Sequence, residues 1–270
     1  MVDIGAGRQV YAECSGTGSP TVVLVSGSRN AHDAWGSLPK PSATDLGPGG
    51  LGPSDSAVFP QVAAFTRVCA YDRPGTVRLD GTRSPSTLVP QPTTARDGVA
   101  DLHAWLTAAG IPGPYVLVAH SWGGMIATLF ASTYPADVAG LVLVDPGSTF
   151  LQTALTPAQW ETFIDLAKSL VDGTKAEVPD YAGSVDVMRA APSVPPLPVV
   201  VITSDKPFDF GAGGAETWPA WGAAQARLAE QLDAEHITRT DSGHLIPIEQ
   251  PQLVVDAVRG VVDDVRAESP

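Results

Sequence analysis

The segment Tyr115-Val-Leu-Val-Ala-His-Ser-Trp-Gly-Gly124 pairs a hydroxyl nucleophile with a backbone pattern that would expose it. A continuous apolar run, 115–119, leads directly into Ser121, and a helical pattern over 121–133 starts with no loop between. A strand that turns into a helix at one residue pushes that side chain out above the strand end. It also needs very small residues two before and two after, where strand and helix nearly touch. Ala119 and Gly123 hold those positions. Ser121 would stand at a helix N-terminus, where free N–H groups and the dipole favour developing negative charge. The same pattern also suits a serine that merely caps a helix, so the segment alone leaves both readings open. Near the C-terminus, Asp241-Ser-Gly-His-Leu-Ile-Pro-Ile-Glu-Gln-Pro251 places His244 in a loop before the last helical pattern. A lone loop histidine is commonly a solvated surface residue.

The elements that must position these side chains alternate along the chain. Short β-branched runs occur at 9–14, 21–26, 67–71, 115–119, 140–144, 199–203 and 235–239, with helical patterns between several of them. That alternation predicts parallel strands joined by crossover helices. Runs such as Val22-Val23-Leu24-Val25 and Leu141-Val142-Leu143-Val144 are apolar throughout, as in strands covered on both faces. The alternating run 9–14 predicts an antiparallel edge. Val99, Leu102, Trp105 and Leu106 form one stripe on a helix over 94–109, capped by Thr93 or Thr94 and ended by Gly110 and Pro112. A last helix spans 251–265, with Pro251 in its first turn. Two regions break the alternation. The Gly-, Pro- and Ser-rich stretch 36–52 reads as an excursion over the strand tips. Residues 146–198 read as a small helical lid with a helix over 156–171, inserted into a core domain made of 1–145 and 199–270.

Taken in order, Thr21–Trp35, Tyr71-Asp-Arg-Pro-Gly75, the Ala119–Gly124 turn, Leu141–Pro146 and Ser242-Gly-His244 resemble the α/β-hydrolase superfamily along nearly the whole chain. The resemblance implies an α/β fold with an eight-stranded, mostly parallel sheet and a site above the strand C-termini. It implies Ser121 as nucleophile and His244 as general base, because the base comes last in the family's chain order. The implied oxyanion hole uses two backbone N–H groups, those of Trp122 and Ser28. Ser26-Gly27-Ser28 stands where the family has His-Gly-x, and Ala119 stands where glycine is usual. The acid departs further from the pattern: Pro207 occupies its usual place after the penultimate strand. Asp145, following the strand after the turn helix, is then the favoured acid, with Asp205 and Asp209 as alternatives. Asp72-Arg73-Pro74-Gly75 is read as a structural turn in which Arg73 pairs with carboxylates. His32, near the implied oxyanion hole, is a candidate substrate contact. Trp160 and Phe163, three apart on one helical face, either line an acyl pocket or pack on the sheet. His120 should point away from the Ser121 hydroxyl.

The chemistry so implied is hydrolysis of a carboxylic ester, lactone or thioester through an acyl-enzyme, with a small-molecule substrate and neither metal nor organic cofactor. The same fold serves perhydrolysis, C–C cleavage, lyase reactions and acyl transfer or cyclisation. It also serves non-catalytic binders that have lost their machinery. Charge narrows the field. The 270 residues include 29 acidic and 16 basic side chains, a net charge of −13. That sign opposes binding to nucleic acid or to anionic membrane surfaces. The cysteines, Cys14 and Cys69, lie in strand-like runs and are expected as buried free thiols. With no basic and apolar leader and no long apolar run, the expectation is a cytoplasmic protein. Oligomeric state is left open.

Overall fold

The computed structural model describes residues 1–40, 50–169 and 175–268. Its centre is a seven-stranded sheet: β1 (Ala12–Ser15), β2 (Thr21–Val25), β3 (Val68–Tyr71), β4 (Tyr115–His120), β5 (Val138–Val144), β6 (Val199–Ile202) and β7 (Glu235–Ile237). The spatial order is β7-β6-β5-β4-β2-β3-β1. All pairs are parallel except β1 with β3, so the first strand is the antiparallel edge that its alternating residues predict.

Side-chain alternation divides the sheet's residues between two cores. Val23, Val25, Leu117, Ala119, Leu141, Leu143 and Val201 face α2 (Ala95–Ala108) and α3 (Trp122–Thr133). Val22, Leu24, Val116, Val118, Val142, Val144 and Ile202 face α1 (Val58–Ala63) and the last helix, Pro251–Glu268. Both faces are therefore dry, which is why these strands read as unbroken apolar runs. Thr94 caps α2 in a reciprocal box with Asp97. The chain runs β2 then β3 toward one edge, and crosses back to lay β4 on the other side of β2. The gap between the carboxyl ends of β2 and β4 is thus the place where strand order reverses, and where open α/β sheets bind ligands.

Three expectations are corrected. The sheet has seven strands among the described residues, not eight. The run 9–14 is interrupted, because Arg8–Val10 folds back on Val2–Gly5 as a separate hairpin. Its turn, Gly5-Ala6-Gly7, has positive φ throughout. At the break, the Gln9 and Tyr11 amides donate to the Thr87 and Ser86 hydroxyls rather than to a neighbouring strand. Third, the cysteines are not free. The β1–β3 register sets Cys14 opposite Cys69, and the two form a disulfide. Cys14 is also exposed, since it points out from the edge strand. Bonded cysteines remove one ground for expecting a reducing compartment. No helix among the described residues is long and apolar enough to cross a membrane.

Between β5 and β6 lie α4 (Leu151–Ala154), α5 (Pro157–Ser169) and α6 (Tyr181–Ala190). The expected helix over 156–171 corresponds to α5, its last two residues falling outside the described ones. Of the excursion 36–52, residues 41–49 lie outside the described residues. Its ends pair as short strands, Ser37–Pro39 with Leu51–Pro53. After β6, a further helix, α7 (Trp218–Gln231), precedes β7.

Candidate active site

β4 ends at His120, and Ser121 alone makes the turn into α3, with φ 53° and ψ −121°. Positive φ is costly for a residue with a Cβ, and its presence here marks a turn held by its surroundings. The holding contacts are visible. The Ser121 amide donates to Val144 O, and its carbonyl accepts from the Gly124 and Gly147 amides. A Cβ on Gly123 would lie 2.4 Å from Val25 O, and one on Gly124 would lie 2.5 Å from Pro146 Cβ. The Ser121 side chain caps nothing in α3, so the capping alternative does not describe this turn.

His244 follows β7 on a loop that brings its ring to the same point. Its Nε2 lies 3.0 Å from Ser121 Oγ, and its Nδ1 lies 2.6 Å from Asp145 Oδ2. A carboxylate only accepts, so Nδ1 carries the proton and Nε2 presents its lone pair to the serine hydroxyl. Asp145 is fully buried at the end of β5. Its other oxygen accepts from the Ser204 amide and from Gln225 Nε2, both at 2.9 Å. Burial alone would raise its pKa. The bonds from His244, Ser204 and Gln225 outweigh that and hold the carboxyl below the usual carboxylate range.

The alternative acids are placed elsewhere. Asp205 accepts from the Thr240, Asp241 and Ser242 amides, and so shapes the loop that carries His244 without touching its ring. Asp209 accepts from the Gly211 amide in an exposed turn. His120 points away from the hydroxyl, as expected, and its Nε2 lies 2.8 Å from His244 O. Burial, then the neighbouring His244, push its pKa down to about 3, so it is neutral and donates that bond.

The loop after β2 closes the site from the other side. A Cβ on Gly27 would stand 3.2 Å from Ser121 Cβ and 2.8 Å from His120 Nδ1. Ser26, in the place of the family's histidine, is buried; its hydroxyl donates to Ala31 O and accepts from Trp35 Nε1. The Trp122 and Ser28 amides, the expected oxyanion donors, make no hydrogen bond to another described residue. Arg73 is buried beneath this loop and pairs with Glu177, as a turn arginine with a carboxylate partner should. His32 is held by carboxylates. Asp72 Oδ1 lies 2.8 Å from its Nδ1 and accepts its backbone N–H, and Glu13 lies 3.5 Å from its Nε2.

Aromatic rings cover the histidine. Phe208 stacks on His244 at 4.8 Å, and Trp221 meets it edge-on at 5.5 Å. Phe210, Phe163 and Trp160 continue the cluster, and Tyr181 packs on both Phe163 and Trp122. Trp160 and Phe163 belong to this aromatic group, and Trp160 packs against the sheet-side core as well. Phe208, Phe210, Tyr181, Trp221 and Gln225 are absent from the sequence expectations. For Phe208, Phe210 and Trp221 the signal is the aromatic density of 208–221, which lacks periodicity; Tyr181 and Gln225 carry none.

The alpha/beta hydrolase family matches residues 22–257. An uncharacterized protein of Schizosaccharomyces pombe is 38% identical over 94 residues, which are 35% of this chain and 16% of that protein's length. An uncharacterized protein of Bacillus subtilis, YqjL, is 25% identical over 254 residues, covering 91% of this chain and 85% of its own. Among solved structures, Est816, described as an N-acyl homoserine lactone degrading enzyme, matches with a TM-score of 0.64 at 17% identity. That match covers 97% of this chain and 99% of the other, and at such identity the likeness is one of fold.

Proposed function

Because this chain belongs to the alpha/beta hydrolase family, we propose that it is a serine hydrolase acting on a carboxylic ester, lactone or thioester. The observation that carries the reading is the continuous relay from Ser121 Oγ to His244 Nε2 at 3.0 Å and from His244 Nδ1 to Asp145 at 2.6 Å. In this mechanism the Ser121 oxygen attacks the carbonyl carbon as His244 Nε2 takes the hydroxyl proton. Asp145 keeps the other proton on Nδ1 and stabilises the imidazolium. The Trp122 and Ser28 amides receive the negative oxygen of the tetrahedral intermediate. Collapse expels the alcohol, which leaves with the proton from His244. Water then repeats the sequence on the acyl-enzyme, yielding the acid and free Ser121. The groups named supply every proton transfer.

Residues 146–198 act as a small helical lid in this reading. Phe163 and Tyr181 of its helices meet Phe208, Phe210 and Trp221 over His244 and offer an apolar, aromatic surface to the substrate. A panel of p-nitrophenyl esters of increasing acyl length, with lactones alongside, tests the class. Turnover that depends on chain length and vanishes in Ser121→Ala supports it, and no turnover across the panel argues against it.

A further inference from the structure

The buried pair Arg73–Glu177 has no part in the relay, yet its hydrogen bonds converge on the loop after β2. Arg73 Nη1 donates to Ser26 O at 2.8 Å and Nη2 to Gly27 O at 2.7 Å. Its Nε and Nη2 also hold the two Glu177 oxygens, at 2.5 and 2.9 Å. Glu177 Oε2 accepts in addition from the Arg29 amide at 2.7 Å. Arginine and glutamate thus hold Ser26, Gly27 and Arg29, the residues on either side of Ser28. The consequence follows from peptide geometry. In a trans unit the C=O and N–H point in opposite directions, so fixing Gly27 O toward the guanidinium fixes the Ser28 N–H away from it. The loop approaches the nucleophile at Gly27, the residue whose carbonyl Arg73 holds, since a Gly27 Cβ would be 3.2 Å from Ser121 Cβ.

Glu177 comes from the segment that leads into α6, within the helical insertion. Its amide donates to Gly75 O, and Val178 O accepts from the Thr93 amide. Gly75 has φ +83°, and a Cβ there would lie 2.4 Å from Lys175 O, so the insertion docks on this turn at backbone contact. We propose that Arg73 and Glu177 are positioning residues that aim the Ser28 N–H at the reacting carbonyl, so that the insertion helps complete the oxyanion hole as well as covering the site. This inference rests on the serine-hydrolase reading above.

The test is Glu177→Gln, assayed with a p-nitrophenyl ester and with a trifluoromethyl ketone, whose adduct with a serine places a negative oxygen in the hole. A misdirected donor predicts a kcat lower by about 10²-fold, the scale of one lost oxyanion contact. KM should stay within about 2-fold, because the donor acts on charge that develops only in the transition state. Affinity for the ketone should fall with kcat, and inhibition by the carboxylic acid product should not change. A fall in kcat with unchanged ketone affinity, or no fall in either, overturns the proposal. If Glu177→Gln does not fold, the double variant Arg73→Met with Glu177→Gln leaves no buried lone charge and carries the same expectations. Ser121→Ala separates the two levels. Wild-type turnover in Ser121→Ala overturns the serine reading and this inference with it. An inactive Ser121→Ala beside a fully active Glu177→Gln overturns this inference alone.

Discussion

Asp145→Asn probes the relay at the point where the structure dictates the outcome. An asparagine at 145 must place its carbonyl oxygen and its NH₂ in the positions of the two carboxylate oxygens. The Oδ1 position faces two donors, the Ser204 amide and Gln225 Nε2, each at 2.9 Å. Only an acceptor fits there, so the carbonyl takes it and the NH₂ is turned toward His244 Nδ1, 2.6 Å away in the native protein. Nδ1 must then be the unprotonated nitrogen, and Nε2 carries the hydrogen. That tautomer cannot accept the Ser121 proton. Loss of tautomer control in serine triads costs about 10⁴ in kcat, equivalent to roughly 5.5 kcal/mol of barrier. Packing is conserved, so the fold should survive. Steady-state hydrolysis of a p-nitrophenyl ester, with far-UV circular dichroism as the folding check, reads both. Asp205→Asn is the matched control. Its carboxylate braces the backbone of 240–242 but does not touch the imidazole, so kcat should fall by less than about 10-fold while the melting temperature drops. A folded Asp145→Asn protein within 10-fold of wild type would refute the argument, as would an Asp205→Asn loss of equal size.

Three other outcomes follow from separate features. Gly123→Ala puts a methyl 2.4 Å from Val25 O and 2.7 Å from Ser26 O, both backbone, so the loop carrying Ser28 must move; kcat should fall roughly 10²-fold, and unchanged kinetics would contradict the close approach. His120 has a folded pKa of about 3 against 6.5 unfolded, so its contribution is complete above pH 6.5 and is lost as pH falls toward 3. Urea midpoints at pH 8 and pH 5 should therefore separate more for wild type than for His120→Asn, and equal separation would count against a buried neutral His120. Opening the Cys14–Cys69 bond with Cys14→Ser should lower stability by about 2–4 kcal/mol with little change in kcat, because 55 residues separate the two sulfurs along the chain and neither touches the relay. A melting temperature unaffected by this change, or by reductant in the wild type, would argue against the bond.

Where local chemistry sets structure, the sequence is readable. The central strands β2, β4, β5 and β6 are apolar runs, mostly Val, Leu and Ile, buried on both faces. The turn at Ser121 announces itself through Gly123 and the abrupt change of pattern, and α2 carries both its stripe and its cap. The preference for Asp145 over Asp205 and Asp209 comes from the family resemblance, which puts Pro207 at the usual acid position and leaves it without a carboxylate. What stays hidden depends on pairing over distance. Cys14 and Cys69 each look like strand residues, and only the β1–β3 register makes them neighbours. The helix α7 has Gly222 in its interior, which weakens its local signal, and it is held by burying Trp221, Ala224 and Leu228. Its Gln225 reaches Asp145 across 80 residues, and Glu177 reaches Arg73 across 104. The pairing of His32 Nδ1 with Asp72, 40 residues away, is likewise invisible in the sequence.

Intact-protein and peptide mass spectrometry after treatment with a fluorophosphonate test most directly whether Ser121 is a nucleophile activated by His244. A single adduct per chain is expected, located on Ser121, absent from Ser121→Ala and formed far more slowly in His244→Ala. A wild-type protein that turns over ester substrate yet gains no adduct, or carries it on another residue, would rule out Ser121 as the nucleophile.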